Sequence, residues 1–169
     1  MELDNPSIAV GDRILSRCHV AAELTQAGQY EAAREALGEL WPGIGERPDV
    51  KHLPPVVAAE VLLQCGALTG HLGRARSVSG AQEKAQDLLS EAARKFSSQG
   101  RREKAAEAQC ELGACYWRLG AHDDARVMMR EALKPLTDAD IELKARIHVR
   151  RTLVEISENR YRDALSILR

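Results

Sequence analysis

Apolar residues recur along this chain at helical spacing over nearly its whole length. Asn5-Pro6 reads as a cap followed by proline at the first helical position. It opens a stripe at Ile14, Leu15, Cys18, Ala21, Ala22 and Thr25. Gly28 interrupts, and Tyr30, Ala33, Leu37, Leu40 and Trp41 form the next stripe. Residues 42–55 hold four of the six prolines and two glycines, which predicts a loop. The helical pattern resumes at Val56, runs through Val61, Leu62, Cys65 and Leu68 to about Leu72, and breaks over residues 73–79. Ser79 followed by Gln82 predicts a capping box for a helix carrying Ala85, Leu88, Leu89, Ala92 and Phe96, which Gly100 ends. Stripes over residues 105–119, 125–136, 141–156 and 161–168 complete eight predicted helices. No segment sustains period-two alternation with β-branched residues, so no sheet is expected.

The helices repeat one another. Gly28-Gln-Tyr-Glu-Ala-Ala33, Gly120-Ala-His-Asp-Asp-Ala125 and Asn159-Arg-Tyr-Arg-Asp-Ala164 each place a turn residue five before an alanine, and Leu37, Met129 and Leu168 follow those alanines by four. Ala85, Leu89 and Ala92 repeat the second half of the pattern. Glycine or asparagine tolerates the left-handed conformation that ends a helix, and the alanine lets the next helix cross closely. A period near 40 residues in helix–turn–helix units signals a solenoid.

Within this pattern, residues 106–133 (AEAQCELGACYWRLGAHDDARVMMREAL) resemble a tetratricopeptide repeat, with Leu112-Gly113, Tyr116, Gly120, Ala125, Met129 and Ala132 at the family spacing. Gln109 stands where the family has an early tryptophan, and Pro135 approximates its late proline. The resemblance extends to residues 14–40, 59–96 and 145–168. It implies one all-α domain over residues 1–169, a right-handed solenoid of four antiparallel helix pairs, with units near 6–41, 55–98, 101–136 and 138–169. It also implies a concave groove, lined by the first helix of each pair, that receives a protein or peptide segment.

Mapping the family's groove positions gives Leu15, Cys18, Ala22, Thr25 and Gln26 in the first unit and Glu60, Leu63, Ala67, Gly70 and His71 in the second. The third gives Glu107, Cys110, Ala114, Trp117 and Arg118, and the fourth Arg146, Val149, Leu153, Ile156 and Ser157. The family's chaperone-tail binders grip a carboxylate with Lys and Asn at middle groove positions of the first repeat. Cys18 and Ala22 stand there, which disfavours that function. Tyr116 and Trp117 point about 100° apart on a helix. With Tyr116 at a packing position, Trp117 either faces the groove beside Arg118 as a binding anchor or packs on the next unit.

Charge alternates along the chain: residues 1–50 sum to −5, 71–105 to +4, 106–143 to −4 and 144–169 to +4. Arg146 and Arg150 share a helix face at i, i+4, the face mapped to the groove. The C-terminal basic cluster offers a nucleic-acid or acidic-peptide surface, or else simply matches the acidic segment before it. Overall, 24 Lys and Arg against 25 Asp and Glu, together with only six aromatics, disfavour a dedicated nucleic-acid binder.

With 44% hydrophobic and 29% charged residues the chain is globular rather than disordered. No run approaches 18 consecutive apolar residues and the N-terminus lacks a basic start with an apolar run, so neither a membrane span nor a signal peptide is expected. Cys18, Cys65, Cys110 and Cys115 lie in apolar stripes without CxxC spacing, and they read as small core residues of a cytoplasmic protein. Cys110 and Cys115 point about 140° apart and cannot share a ligand. The five histidines lack helical metal-site spacing, so no metal or other cofactor is expected. The basic, Gly- and Ser-containing segment 73–80 lacks the ending of a phosphate-binding loop and reads as a plain link. No catalytic motif is present, so the chain is expected to be a non-enzymatic scaffold or regulatory module. The candidate partner residues are Gln26, Glu60, His71, Glu107, Trp117, Arg118, Arg146 and Arg150. The final stripe runs to Leu168 with no polar closing helix, which implies self-association through that end or a longer repeat protein.

Overall fold

In a computed structural model, which describes residues 6–168 (side chains from residue 10 onward), every apolar stripe is a helix. The helices are α1 (Pro6–Gln26), α2 (Tyr30–Leu37), α3 (Pro55–Ala75), α4 (Ala81–Ser98), α5 (Arg102–Arg118), α6 (His122–Leu133), α7 (Ile141–Ser157) and α8 (Tyr161–Ile167). A 3₁₀ turn, Gly38–Leu40, extends α2, and no strand occurs among the described residues. Pro6 takes the first helical position of α1, whereas the cap assigned to Asn5 lies outside the described residues.

Five helices end in one and the same turn. A residue in the left-handed region follows α1, α3, α4, α5 and α7: Gly28, Ser77, Gly100, Gly120 and Asn159, with φ between 52° and 78°. In each case its own N–H, and that of the next residue, return to carbonyls of the last helical turn, as in Gly120 N to Trp117 O (3.0 Å) and Ala121 N to Tyr116 O (2.9 Å). This satisfies carbonyls that a helix end otherwise leaves open. The alanines five residues after Gly28, Gly120 and Asn159 are buried at Ala33, Ala125 and Ala164. Leu37 and Met129 are buried as the repeat implies, but Leu168, their counterpart, is 61% exposed because nothing packs on that side of α8 among the described residues.

Two expectations for the link between α3 and α4 fail. The Ser79–Gln82 capping box does not form: α4 starts after Gly80 in the left-handed region with no side-chain cap, and Gln82 Nε2 instead donates to Gly70 O at 2.7 Å. Gly73 does not break the helix either, since α3 continues to Ala75. Its missing side chain serves packing, because a Cβ there would lie 2.3 Å from Ala81 Cβ.

Each helix packs on the next, and the odd-numbered helices also pack on one another, α1 on α3, α3 on α5 and α5 on α7. α3 is the centre, touching α1, α2, α4 and α5, and every residue from Val57 to Gly70 is buried. By length and composition α3 could span a membrane, contrary to the count of consecutive apolar residues. Glu60, Gln64 and Thr69 interrupt that count without making the helix polar, and its neighbours bury it. Each fully buried leucine there, Leu62, Leu63 and Leu68, contributes about 1.5–3 kcal/mol.

The core has two parts. The larger surrounds α3, and the second joins Ala106, Cys110 and Ala114 of α5 to Met129 of α6 and Ile147 and Val154 of α7. Cys110 and Cys115 enter different parts, as their angular separation requires. All four cysteines are free and buried. Burial pushes the Cys18 thiol up to about 12 and that of Cys115 to about 11, so neither is a nucleophile at neutral pH. The loop before α3 is pinned rather than loose: Trp41 Nε1 donates to Thr69 Oγ1 at 3.4 Å, and Arg47 pairs with Glu91 at 2.8 Å.

Candidate binding groove

The odd-numbered helices converge on one depression. Ala22, Thr25 and Gln26 of α1, Leu63, Gln64 and Ala67 of α3, Glu107 and Glu111 of α5 and Arg146 of α7 all line it. Seven of these are positions mapped to a groove from the sequence; Gln64 and Glu111 are not. Cys18, Cys110 and Ala114, also mapped there, are instead buried between helices. The depression is shallow, with room for about one water molecule.

Its walls are filled by a ladder of ion pairs that links α3, α5 and α7. Glu60 Oε1 accepts from Gln64 Nε2 (2.9 Å) and from Lys104 Nζ (3.1 Å), and Lys104 also reaches Glu107 Oε2 at 3.1 Å. Glu107 Oε1 then pairs with Arg146 Nη2 at 3.5 Å, and Glu111 Oε1 with Arg150 Nη2 at 2.6 Å. Arg150 Nη1 also lies 3.4 Å from Cys110 Sγ. The i, i+4 acids of α5 therefore meet the i, i+4 arginines of α7, at a separation of 39 residues. Burial alone would push the Glu111 carboxyl up, but the charge and hydrogen bond of Arg150 outweigh it and hold the group at about 2.

His71 and Arg118 meet at the other end of the same face. Arg118 Nη2 lies 3.2 Å and 3.3 Å from the two ring nitrogens of His71, whose ring stacks on Tyr30 with centroids 4.6 Å apart. Glu111 Oε2 is 3.8 Å from His71 Nε2. Burial, reinforced by the Arg118 charge, pushes His71 down to about 4, so the imidazole is neutral at pH 7. Trp117 is half-buried against the second part of the core, and its indole N–H donates to Ser157 Oγ of α7 at 3.2 Å. Of its two readings, packing on the next unit is the one this contact matches.

Glu60, Glu107, Arg146 and Arg150 thus come together but neutralise one another and Lys104. Gln26 stays exposed at the edge, and His71 and Arg118 hold each other. Lys104, Gln64 and Glu111 were missed. For Glu111 a signal existed, since Glu107/Glu111 and Arg146/Arg150 share a spacing and differ by one period. Besides Gln26 and Ser157, this face leaves an apolar row open: Val149, Leu153 and Ile156 of α7 are 54%, 40% and 44% exposed. Among the described residues no group of three or more His, Cys, Asp or Glu side chains could hold a metal ion. Comparison with family models, characterised proteins and solved structures finds no match.

Proposed function

We propose that this chain is a non-catalytic interaction module, a tetratricopeptide-like solenoid that binds a protein or peptide segment along the face of its odd-numbered helices. The packing of α1, α3, α5 and α7 on one another and the turn repeated at Gly28, Gly120 and Asn159 support the repeat reading. The row Val149, Leu153, Ile156 carries the functional one. Three aliphatic side chains at i, i+4 and i+7, on positions mapped to the groove, stand in solvent while the charges beside them are paired internally. A solvated helix face carries polar residues at such positions, and an apolar row marks a contact surface. It suits an amphipathic segment that presents an apolar side, with little need for a charged anchor. The alternative, a nucleic-acid-binding repeat, is weakened because its groove arginines, Arg146 and Arg150, already serve Glu107 and Glu111.

The test is affinity capture with the full chain, read by mass spectrometry, comparing wild type with Val149→Lys/Leu153→Lys. Circular dichroism establishes that the variant is folded. A partner held by wild type and lost by the variant supports the reading; identical recovery with both rejects it.

A second reading rests on α8. Tyr161, Leu165 and Leu168, again at i, i+4 and i+7, are 57%, 59% and 61% exposed. Association of copies through this row would cover it. Sedimentation of Leu165→Lys against wild type decides the matter: a larger species in wild type that the variant lacks supports self-association.

A further inference from the structure

On a different face of α7 from the Val149–Leu153–Ile156 row, helices α6, α7 and α8 enclose a cavity of about 210 Å³ whose lining includes Arg126, Arg130, Arg151, Arg160, Glu155 and Asp163. Both carboxylates are already engaged. Glu155 takes Arg126 in a two-point contact at 2.8 and 3.0 Å, and Arg126 also meets Asp123 and Glu158. Arg160 binds Asp163 at 2.7 Å and reaches Glu155 at 3.3 Å. Arg130 and Arg151 have no carboxylate within ion-pair distance among the described residues. Arg151 is half-buried, and its cation is disfavoured first by burial and then by the charge of Arg130, with Glu155 opposing.

Two guanidinium groups that share a cavity without a counter-ion repel each other, and an anion between them reverses the sign of that interaction. Guanidinium forks match the oxygens of phosphate at two points each. Asp123, Glu155, Glu158 and Asp163 engage Arg126 and Arg160, and the two cations beside them without a carboxylate in ion-pair contact, Arg130 and Arg151, are the complement of a dianion. The volume is below the roughly 300–1,000 Å³ of small-molecule sites, and the pocket is half open, so it suits one oxyanion group whose carrier can lie outside. We propose that this cavity binds a phosphate dianion, free or carried as a phosphomonoester, between Arg130 and Arg151.

Thermal unfolding of the full chain at constant ionic strength tests this, with sodium phosphate, O-phosphoserine and sodium chloride compared in parallel. The proteins are wild type, Arg130→Gln/Arg151→Gln, and Arg162→Gln as a control whose exposed arginine lies outside the cavity. Either dianion is expected to raise the Tm of wild type and of the control above its value in chloride. The double variant is expected to show no such rise, while its Tm in chloride is at least that of wild type, because the repulsion is gone. A larger rise with O-phosphoserine assigns a phosphoryl group carried on another molecule, and equal rises assign free phosphate. No dianion-specific rise in wild type, or an equal rise in the double variant, overturns the proposal. So does binding of a single-stranded oligonucleotide without any response to the dianions, which would make this a backbone-tracking surface instead.

Discussion

Glu111 and Arg150 are joined at 2.6 Å between α5 and α7, both largely buried and 39 residues apart in sequence. Such a pair contributes little over an apolar pair of the same shape, but losing one partner leaves the other buried and uncompensated. Arg150→Ala is therefore expected to destabilise the fold by about 3–5 kcal/mol. Arg150→Met combined with Glu111→Leu should recover most of that loss. Chemical denaturation of the single and double variants measures both, and equal stabilities for all three proteins would show that the pair is not coupled.

Stability should fall in two stages as pH drops. His71 is held at about 4 in the fold against the ordinary 6.5 of a free imidazole. The unfolded chain thus takes up the proton first, and stability is lost from about 6.5 down through 4. Glu111 is held at about 2 against 4.5, so its contribution is present above 4.5 and disappears between there and 2. Denaturation across this range is expected to show both slopes. His71→Gln should flatten chiefly the upper one and Glu111→Gln chiefly the lower, with a smaller cross-effect because the two groups lie 3.8 Å apart.

Ser77 adopts φ 52° at the turn after α3, where its counterparts after α1, α4 and α5 are glycines. A residue with a Cβ pays roughly 1–2 kcal/mol for this conformation. Ser77→Gly is expected to raise stability by about 1 kcal/mol, and Asn159→Gly by less, because asparagine tolerates the region. Thermal unfolding checks the order of the two.

Gly73 presents the opposite case, a glycine required by space rather than by backbone angle. Ala81 Cβ would stand 2.3 Å from an added methyl, and Ala81 has no flexible end to move. Gly73→Ala should cost about 1–3 kcal/mol through displacement of the start of α4. Ala81→Gly in the same chain should restore part of the loss, a compensation that a purely local helix effect would not show.

The helices were legible because each buries one face, and that face writes a period of 3.6 into the sequence. The repeated turn was legible at Gly28, Gly120 and Asn159 through the alanine five residues on, but not at Ser77, where no glycine or asparagine announces it. Gly73 was misread as a helix end because local pattern does not distinguish a glycine that frees the backbone from one that admits a neighbour. Groove positions transferred where the odd-numbered helices diverge enough to leave surface, as at Thr25, Gln26 and Glu107, and failed at Cys18 and Ala114, where the helices close over them. The neutralisation of Arg146 and Arg150 was within reach, since acid and base repeat at one spacing one period apart. Lys104 was not, because its bridging of Glu60 and Glu107 depends on how closely α3 approaches α5.

The row on α7 separates binding from folding in a single experiment. Val149 and Leu153 are 54% and 40% exposed, so replacing both with lysine removes little packing and leaves the ammonium groups in solvent. Stability of Val149→Lys/Leu153→Lys is expected to stay within about 0.5 kcal/mol of wild type, the usual range for surface changes. If the row is a contact surface, the same variant loses its partner completely, since two lysines set into an apolar contact must be desolvated without a counter-charge. Substituting Ile147, buried on the inner side of the same helix, with alanine should do the reverse and cost about 2–5 kcal/mol. Its binding, measured below its Tm, should be retained. Denaturation and capture performed on the same preparations compare the two. A stability loss in the lysine variant like that of Ile147→Ala would mean that the row packs within the fold and is not a surface for another molecule.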